Sequence, residues 1–371
     1  MSNGSGIAQL QVQRELLRVE YQEEKEAYRL HSEAVGLART VTRGDAWYPL
    51  HVGRSYYNSL NQFCVEVTRK ADVEIDHNFE YGKPVVFFSA EAPGGDLKQA
   101  GNIRFFGFTG TISYVDGDRM VVAIPEEHAL ELQNADQPLG VQLFFDETSY
   151  RMMFDALERV ISAKGTRLAY LRDLFYGRQR AETFTFEAMR FPWLNTSQER
   201  AVNDVLRAKD VRVLHGPPGT GKTTTLVEAI NETLMRETQV LVCAQSNTAV
   251  DWISEKLVDC GIPVLRLGNP TRVNDKMLSF TYERRFSDHP DYPKLWQVRR
   301  DMRELRRRRR EKAEHFHQKI ERLKELAVEL EVRINNDIFG QVRVIASTLV
   351  GAANKLLDGK RFGTVDRKSV V

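Results

Sequence analysis

Ten residues near the middle of the chain, His215-Gly216-Pro217-Pro218-Gly219-Thr220-Gly221-Lys222-Thr223-Thr224, constrain its fold more than any other stretch. From Gly216 to Thr223 they fit G-x-x-x-x-G-K-[ST]. Val211 to Leu214 before them reads as a strand. Thr224 to Met235 after them reads as a helix, with Leu226, Ala229, Ile230 and Leu234 on one face. A strand, a glycine loop and a helix N-terminus make an anion site, because successive backbone N–H groups and the positive helix end point at the same volume. Such a loop belongs to a parallel α/β sheet. In it, Gly216, Pro217, Gly219, Thr220, Gly221, Lys222, Thr223 and Thr224 are candidate contacts for a nucleoside triphosphate. Lys222 is placed for the β- and γ-phosphates, and the Thr223 hydroxyl for Mg²⁺. ATP and Mg²⁺ are the expected ligands.

The rest of the chain supports a parallel sheet around that loop. Gln239 to Ala244 is a short apolar strand, followed by Gln245-Ser246-Asn247-Thr248 and a helix with Trp252, Ile253, Leu257 and Val258 inward. Pro263 to Gly268 is a further strand, and Gln341 to Ala352 is strand and loop again. Strand, loop and helix in alternation form the βαβ repeat, whose functional residues sit at the C-terminal ends of the strands. Before the loop, Asn195 or Thr196 can cap a helix from Ser197 to Arg207, with Glu199 placed to assist. Gln198, on that helix, offers a planar amide that can donate to and accept from an adenine edge.

The first half has a different texture. Residues 7 to 40 read as one long polar helix with a narrow stripe of Leu10, Leu17, Tyr21, Tyr28 and Leu37, suited to a single antiparallel partner. From Trp47 to Phe145, short β-branched and aromatic runs alternate with turn signals: Val85 to Phe88, Ile103 to Phe108, Thr111 to Tyr114, Met120 to Ile124, and Val141 to Phe145. Asp116-Gly117-Asp118 is a hairpin turn. Six or so strands imply a small barrel or sandwich. Phe105, Phe106 and Tyr114 are either its core or a stacking surface for bases. Helix resumes near Ser149, with Met153, Leu157, Val160 and Ile161 on one face. Residues 272 to 340 are a charged helical pair. Phe316, Ile320, Leu323, Ala327, Leu330 and Ile334 form its seam, and Arg306 to Arg310 are either a phosphate contact or a solvated turn.

Composition excludes little. The 371 residues carry a net charge of +2, so any basic surface must be local. Cys64, Cys243 and Cys260 form no CxxC pair, so no zinc site or disulfide framework is indicated. No apolar run suits a membrane span, and no signal peptide is evident. A reducing cytoplasm and a monomer are expected.

Four motifs occur in order: Leu194-Asn195-x-x-Gln198, the glycine loop, Val242-Cys-Ala-Gln-Ser-Asn-Thr-Ala-Val-Asp251, and Arg266-Leu-Gly-Asn-Pro270. Together they resemble the superfamily 1 helicases of the up-frameshift and immunoglobulin-mu-binding type. The resemblance is close over residues 191 to 271 and one of plan only over 7 to 190. It implies a helical stalk carrying a β-barrel (1–190, barrel about 46–146), a first RecA-like ATP-binding domain (191–271 and 341–371) and an inserted helical hairpin (272–340). It further implies Gln198 for adenine, and Ser246, Asn247 and Thr248 for the backbone of single-stranded DNA or RNA; a plain helix cap is the other reading of Ser246 and Asn247. Ser347 and Thr348 match a later strand-contact motif. In such families an apolar strand carrying Asp-Glu follows Arg361 to Val365. Here Asp366 follows one apolar residue and precedes Arg367, so it does not fit that aspartate. A truncated chain with an unrelated tail from Asp366 is expected, binding ATP and a strand without hydrolysing or unwinding alone. A stand-alone nucleic-acid-binding protein that binds ATP only as a ligand, without catalysis, is the alternative.

Overall fold

The computed structural model describes residues 6–34, 36–58, 61–69, 76–80, 82–91, 103–145, 147–268, 273, 275–307 and 313–368. The chain divides into two compact units, 1–168 and 169–371.

The first unit opens with α1 (Gly6–Ala34) and α2 (Leu37–Thr42), not with one helix. The break at Gly36 lets α2 fold against the outside of a barrel, where Leu37 and Val41 cover Ala46, Tyr48, Phe88 and Ala90. Six strands follow: β1 (Ala46–Tyr57), β2 (Phe63–Arg69), β3 (Pro84–Ser89), β4 (Arg104–Asp116), β5 (Arg119–Ala123) and, after α3 (Ala129–Gln133), β6 (Leu139–Leu143). They close in the order β1-β2-β5-β4-β3-β6, every pair antiparallel. Closure leaves no free edge. The two runs from Ile103 and from Thr111 are one strand, β4, because Thr109 and Gly110 continue the ladder with β3 across the gap. Inside sit Trp47, Val65, Val67, Val85, Phe87, Ile112, Met120, Val122 and Val141, alternate residues of their strands. Gly117 takes a φ of 53° in the β4–β5 turn.

The aromatic residues named above divide. Phe106 packs on the interior cluster. Phe105 is 48% exposed and packs edge-on against Phe88. Tyr114 lies under the Arg119 guanidinium, 5.5 Å from the ring centre.

Helix α4 (Glu147–Ser162) returns along α1. Tyr21 meets Phe145, Tyr150 and Phe154 edge-on or tilted, and Lys25 pairs with Glu147 at 2.6 Å. The expected antiparallel partner of α1 is thus α4.

The second unit begins within α5 (Arg167–Phe175) and continues through α6 (Thr196–Arg207), α7 (Lys222–Thr233), β7 (Val240–Ala244), α8 (Asn247–Asp259) and β8 (Val264–Arg266). Then come α9 (Tyr282–Ser287), α10 (Tyr292–Arg307), α11 (Ala313–Gly340), β9 (Val344–Thr348) and β10 (Thr364–Lys368). Residues 169–190, grouped with the stalk by sequence, belong to this unit because α6 and its end hold them. The Asn203 side chain bonds both the N–H and the carbonyl of Met189, and Phe184 N–H donates to Arg207 O.

The sheet runs β10-β7-β9-β8, all parallel. Val227 and Ile230 of α7, Leu234 at its C-cap, and Ile253 and Leu257 of α8 bury against Val240, Val242, Val264, Val344 and Ala346. Each fully buried aliphatic side chain there contributes about 1.5–3 kcal/mol.

One expectation is corrected here. Val211 to Leu214 joins no ladder among the described residues, and Val213 is 77% exposed. An extended segment becomes a strand only when a neighbour takes its N–H and C=O groups, which its own sequence does not decide. Asp366 to Lys368, at the start of the expected tail, lie on β10, with Asp366 opposite Val242 on β7.

α10 and α11 form the expected hairpin. Ile320, Ala327, Leu330 and Ile334 are buried in its seam, and Arg299 pairs with Glu331 at 2.8 Å. Arg306 and Arg307 end α10; Arg308 to Arg310, and the side chain of Phe316, lie outside the described residues. No described helix is long and apolar enough to cross a membrane.

Candidate functional site

The glycine loop is braced from within. Gly219 and Gly221 take φ values of 79° and 77°, a region that costs an L-residue energy but not glycine. The Thr220 hydroxyl donates to Pro217 O at 2.8 Å, and Thr225 Oγ1 to Gly221 O at 3.1 Å. Gly221 is the N-cap of α7 and supplies no side chain, so the first turn of that helix is left without a side-chain cap. Those N–H groups and the helix dipole make the loop an acceptor for anions.

Lys222 stands on the first residue of α7. Its ammonium donates to Gly216 O at 2.5 Å and Pro217 O at 2.8 Å, curled over its own loop. Phosphate oxygens are charged and stronger acceptors than these carbonyls, so a polyphosphate competes for the same donor. Thr223 is buried at the base of the helix, while Thr224 is exposed beside it. A cleft of about 670 Å³ opens at the loop, lined by Thr196, Gln198, Ala201, Leu214, His215 and Lys222 among others. The lining is large enough for a nucleotide. None of it is a carboxylate.

Gln198 is in this cleft because α6 packs against α7 through Phe191, Val202, Leu206 and Ala229. The cap of α6 is Asn195, and its box partner is Gln198, not Glu199. Gln198 N–H donates to Asn195 Oδ1 at 2.9 Å, and Asn195 N–H donates to Gln198 Oε1 at 3.1 Å. Glu199 turns away instead, accepting from Phe191 N–H at 3.0 Å and from Arg190 at 3.1 Å. The remaining amide group, Gln198 Nε2, reaches Thr220 O at 3.4 Å. A Cβ on Gly221 would lie 2.4 Å from that nitrogen, so glycine is needed there for space as well as for φ. The adenine-reading candidate therefore touches the phosphate loop directly.

The strand-contact candidates separate. Ser246 is the N-cap of α8 and accepts from Ala249 N–H at 3.2 Å, so the plain reading of it as a cap holds structurally. Asn247 is half-buried and bonded to Arg266, and Thr248 is exposed. At the end of β9, Ser347 is fully buried and its hydroxyl has no hydrogen-bond partner among the described residues. A strand cannot touch it there, which corrects its assignment as a surface contact. β9 is an inner strand with both faces covered, so Val344 to Ser347 are all buried and only Thr348 at its end is partly exposed. Thr348 is half-exposed and accepts from Gly351 N–H at 3.0 Å, leaving its hydroxyl proton to donate.

Sequence reasoning passed over Arg266 and Asp251. Arg266 is fully buried at the end of β8 and bonded to Asp251 at 2.7 Å. An arginine ending an apolar strand that faces a helix bearing Asp251 was the available signal. A titratable neighbour lies beyond it: burial holds the Glu283 carboxyl up at about 7, against the opposing pull of its own backbone N–H and of Arg266. No described cluster of His, Cys, Asp and Glu suits a metal ion.

Residues 193–333 match the model of the AAA domain family. The chain is 28% identical over 281 residues to DNA polymerase alpha-associated DNA helicase A of Schizosaccharomyces pombe, covering 69% of this chain and 40% of the relative. It is 29% identical over 272 residues to rat DNA-binding protein SMUBP-2, covering 69% and 27%. It is also 29% identical over 276 residues to ATP-dependent helicase upf1 of S. pombe, covering 66% and 28%. The chain thus spans less than half the length of these relatives. With the family match lying across the loop, the capping glutamine and α8, and with these relatives extending the likeness over two thirds of its length, the chain is similar to superfamily 1 helicases of the up-frameshift and immunoglobulin-mu-binding type.

Proposed function

We propose that the second unit is the first RecA-like lobe of an ATP-dependent 5′-to-3′ helicase, with α10 and α11 as its inserted hairpin and the barrel on α1 and α4 as its stalked accessory domain. The observation that carries this is the meeting of the uncapped α7 N-terminus, Lys222 and Gln198 in one cleft. The donor set suits ATP: backbone N–H groups and Lys222 for the phosphates, Gln198 for adenine, and Thr223 for a Mg²⁺ held between protein and phosphates. Mg²⁺ would neutralise the charge developing on the transferred phosphoryl group. Asn247, Thr248 and Thr348, at the C-terminal ends of parallel strands, are the proposed contacts to single-stranded DNA or RNA.

Hydrolysis needs more than these residues supply. A carboxylate must hold the metal through water, and another must orient the attacking water. The residues assigned here to ATP, Mg²⁺ and a strand include no such carboxylate, so the reading is of a chain that binds ATP and a strand but turns ATP over poorly. The same observation favours, as a second reading, a protein that uses ATP only as a ligand. ATP hydrolysis and ATP binding, measured with and without single-stranded DNA or RNA beside Lys222→Ala, test both. Binding lost in Lys222→Ala, with no turnover in either protein, is expected. Strand-stimulated turnover abolished by Lys222→Ala would show that some carboxylate outside this cleft completes the site.

A further inference from the structure

Arg266 is fully buried, and a guanidinium removed from water must give its N–H groups to acceptors. Here Nε donates to Asp251 Oδ1 at 2.7 Å, Nη1 to Leu267 O, and Nη2 to Asn247 Oδ1 at 2.9 Å. Asp251 and Asn247 lie four residues apart on α8, one above the other on a single face, so the planar fork clamps the first turn of that helix. Space for the fork comes from Gly268, where φ is 138° and a Cβ would lie 2.8 Å from Nη1. Charge neutralisation needs Asp251 alone. The third bond has another consequence.

A guanidinium only donates, so the atom that Asn247 turns toward it must be the amide oxygen. The amide NH₂ is thereby turned away from Arg266, in a residue that is half-buried and stands at the first position of α8. Its two donors then act in the same region as the positive end of a 13-residue helix. An acceptor carrying negative charge suits both. We infer that Arg266, backed by Asp251, is a positioning residue that aims the Asn247 amide NH₂ at a backbone phosphate of a bound single strand. This deepens the strand-binding reading above and rests on it.

The test is fluorescence anisotropy of the full chain with fluorescein-labelled oligothymidylate and oligouridylate. Asn247→Ala, Arg266→Lys, the double variant and Asn247→Asp are compared with the unaltered chain. Arg266→Lys keeps a cation for Asp251 but loses the fork. Each of the first two is expected to weaken strand binding about tenfold, the worth of one hydrogen bond to a charged group. The double variant is expected to lose no more than either single one, because both remove the same contact. Asn247→Asp keeps an oxygen for Arg266 and puts a carboxylate where the NH₂ was. It is expected to melt no lower than the unaltered chain and yet to bind strand at least tenfold more weakly.

Unaltered binding by Arg266→Lys, additive losses in the double variant, or full binding by Asn247→Asp each overturn the inference. Should Arg266→Lys fail to fold, Asn247→Asp alone decides. An unaltered chain that binds neither oligonucleotide overturns the strand-binding reading and this inference with it. Binding that survives while the variants disobey overturns the inference alone.

Discussion

Glu283→Gln is expected to make the protein more stable at pH 8 and to leave it nearly unchanged at pH 4. Glu283 sits in the first turn of α9, and one of its carboxylate oxygens is buried without a hydrogen-bond partner among the described residues. Burial raises its pKa from 4.5 to about 7, outweighing its own backbone N–H and Arg266. Below the unfolded value the carboxyl is protonated in both states and costs nothing. As pH rises past 4.5 the unfolded chain releases its proton while the folded one retains it, and folding loses stability until the folded group ionises near 7. At about 1.4 kcal/mol for each tenfold change in proton affinity, the full loss is roughly 3 kcal/mol. Glutamine has nearly the same shape and no proton to release, so it escapes that loss. Urea denaturation of both proteins from pH 4 to pH 8 measures it. The stability difference should grow with pH and level off above 7. A difference independent of pH, or one that favours glutamate at pH 8, would refute the assignment of burial as the dominant effect at this carboxyl.

Two packing predictions follow from the cores of the two units. Gly140→Ala should destabilise the barrel by about 1–3 kcal/mol, because a Cβ there would lie 2.2 Å from the Phe88 ring, which is fully buried under α2; thermal denaturation measures it, and an unchanged melting temperature would mean that the ring moves freely. Leu257→Ala should cost about 2–5 kcal/mol, since Leu257 is fully buried between α8 and the sheet. Chemical denaturation with a shifted midpoint and an unchanged slope is the expected signature.

Which parts of this protein were legible without coordinates follows from the range of the interactions involved. The glycine loop and the α6 and α8 caps are short contiguous patterns, and the hairpin seam is a repeat along one helix, so their geometry is local. Asn195, Ser246 and Gly221 therefore stand at helix starts where the sequence placed them to within a residue or two. The barrel was likewise foreshadowed by short β-branched and aromatic runs between turn signals, and the strand pairing then decided which of their residues face inward.

Tertiary structure decided what depends on residues far apart in the chain. Val211 to Leu214 has strand composition but no ladder neighbour, while Thr364 to Lys368 has little strand character and gains one from β7. Ser347 and Thr348 are both hydroxyl residues at a strand end, and only the sheet makes one buried and the other half-exposed. Gln198 was legible as an amide near the loop, but its contact with Thr220 depends on α6 packing against α7. Arg266 shows the limit most clearly. Its sequence neighbours are apolar, and its role follows from Asp251 and Asn247, fifteen and nineteen positions away on another element. Amino-acid order thus determined the local chemistry, a glycine loop between the capped α6 and the uncapped N-terminus of α7. Which side chains that chemistry reaches depends on burial and strand pairing, and these are properties of the assembled sheet because each requires a partner that the local sequence does not contain.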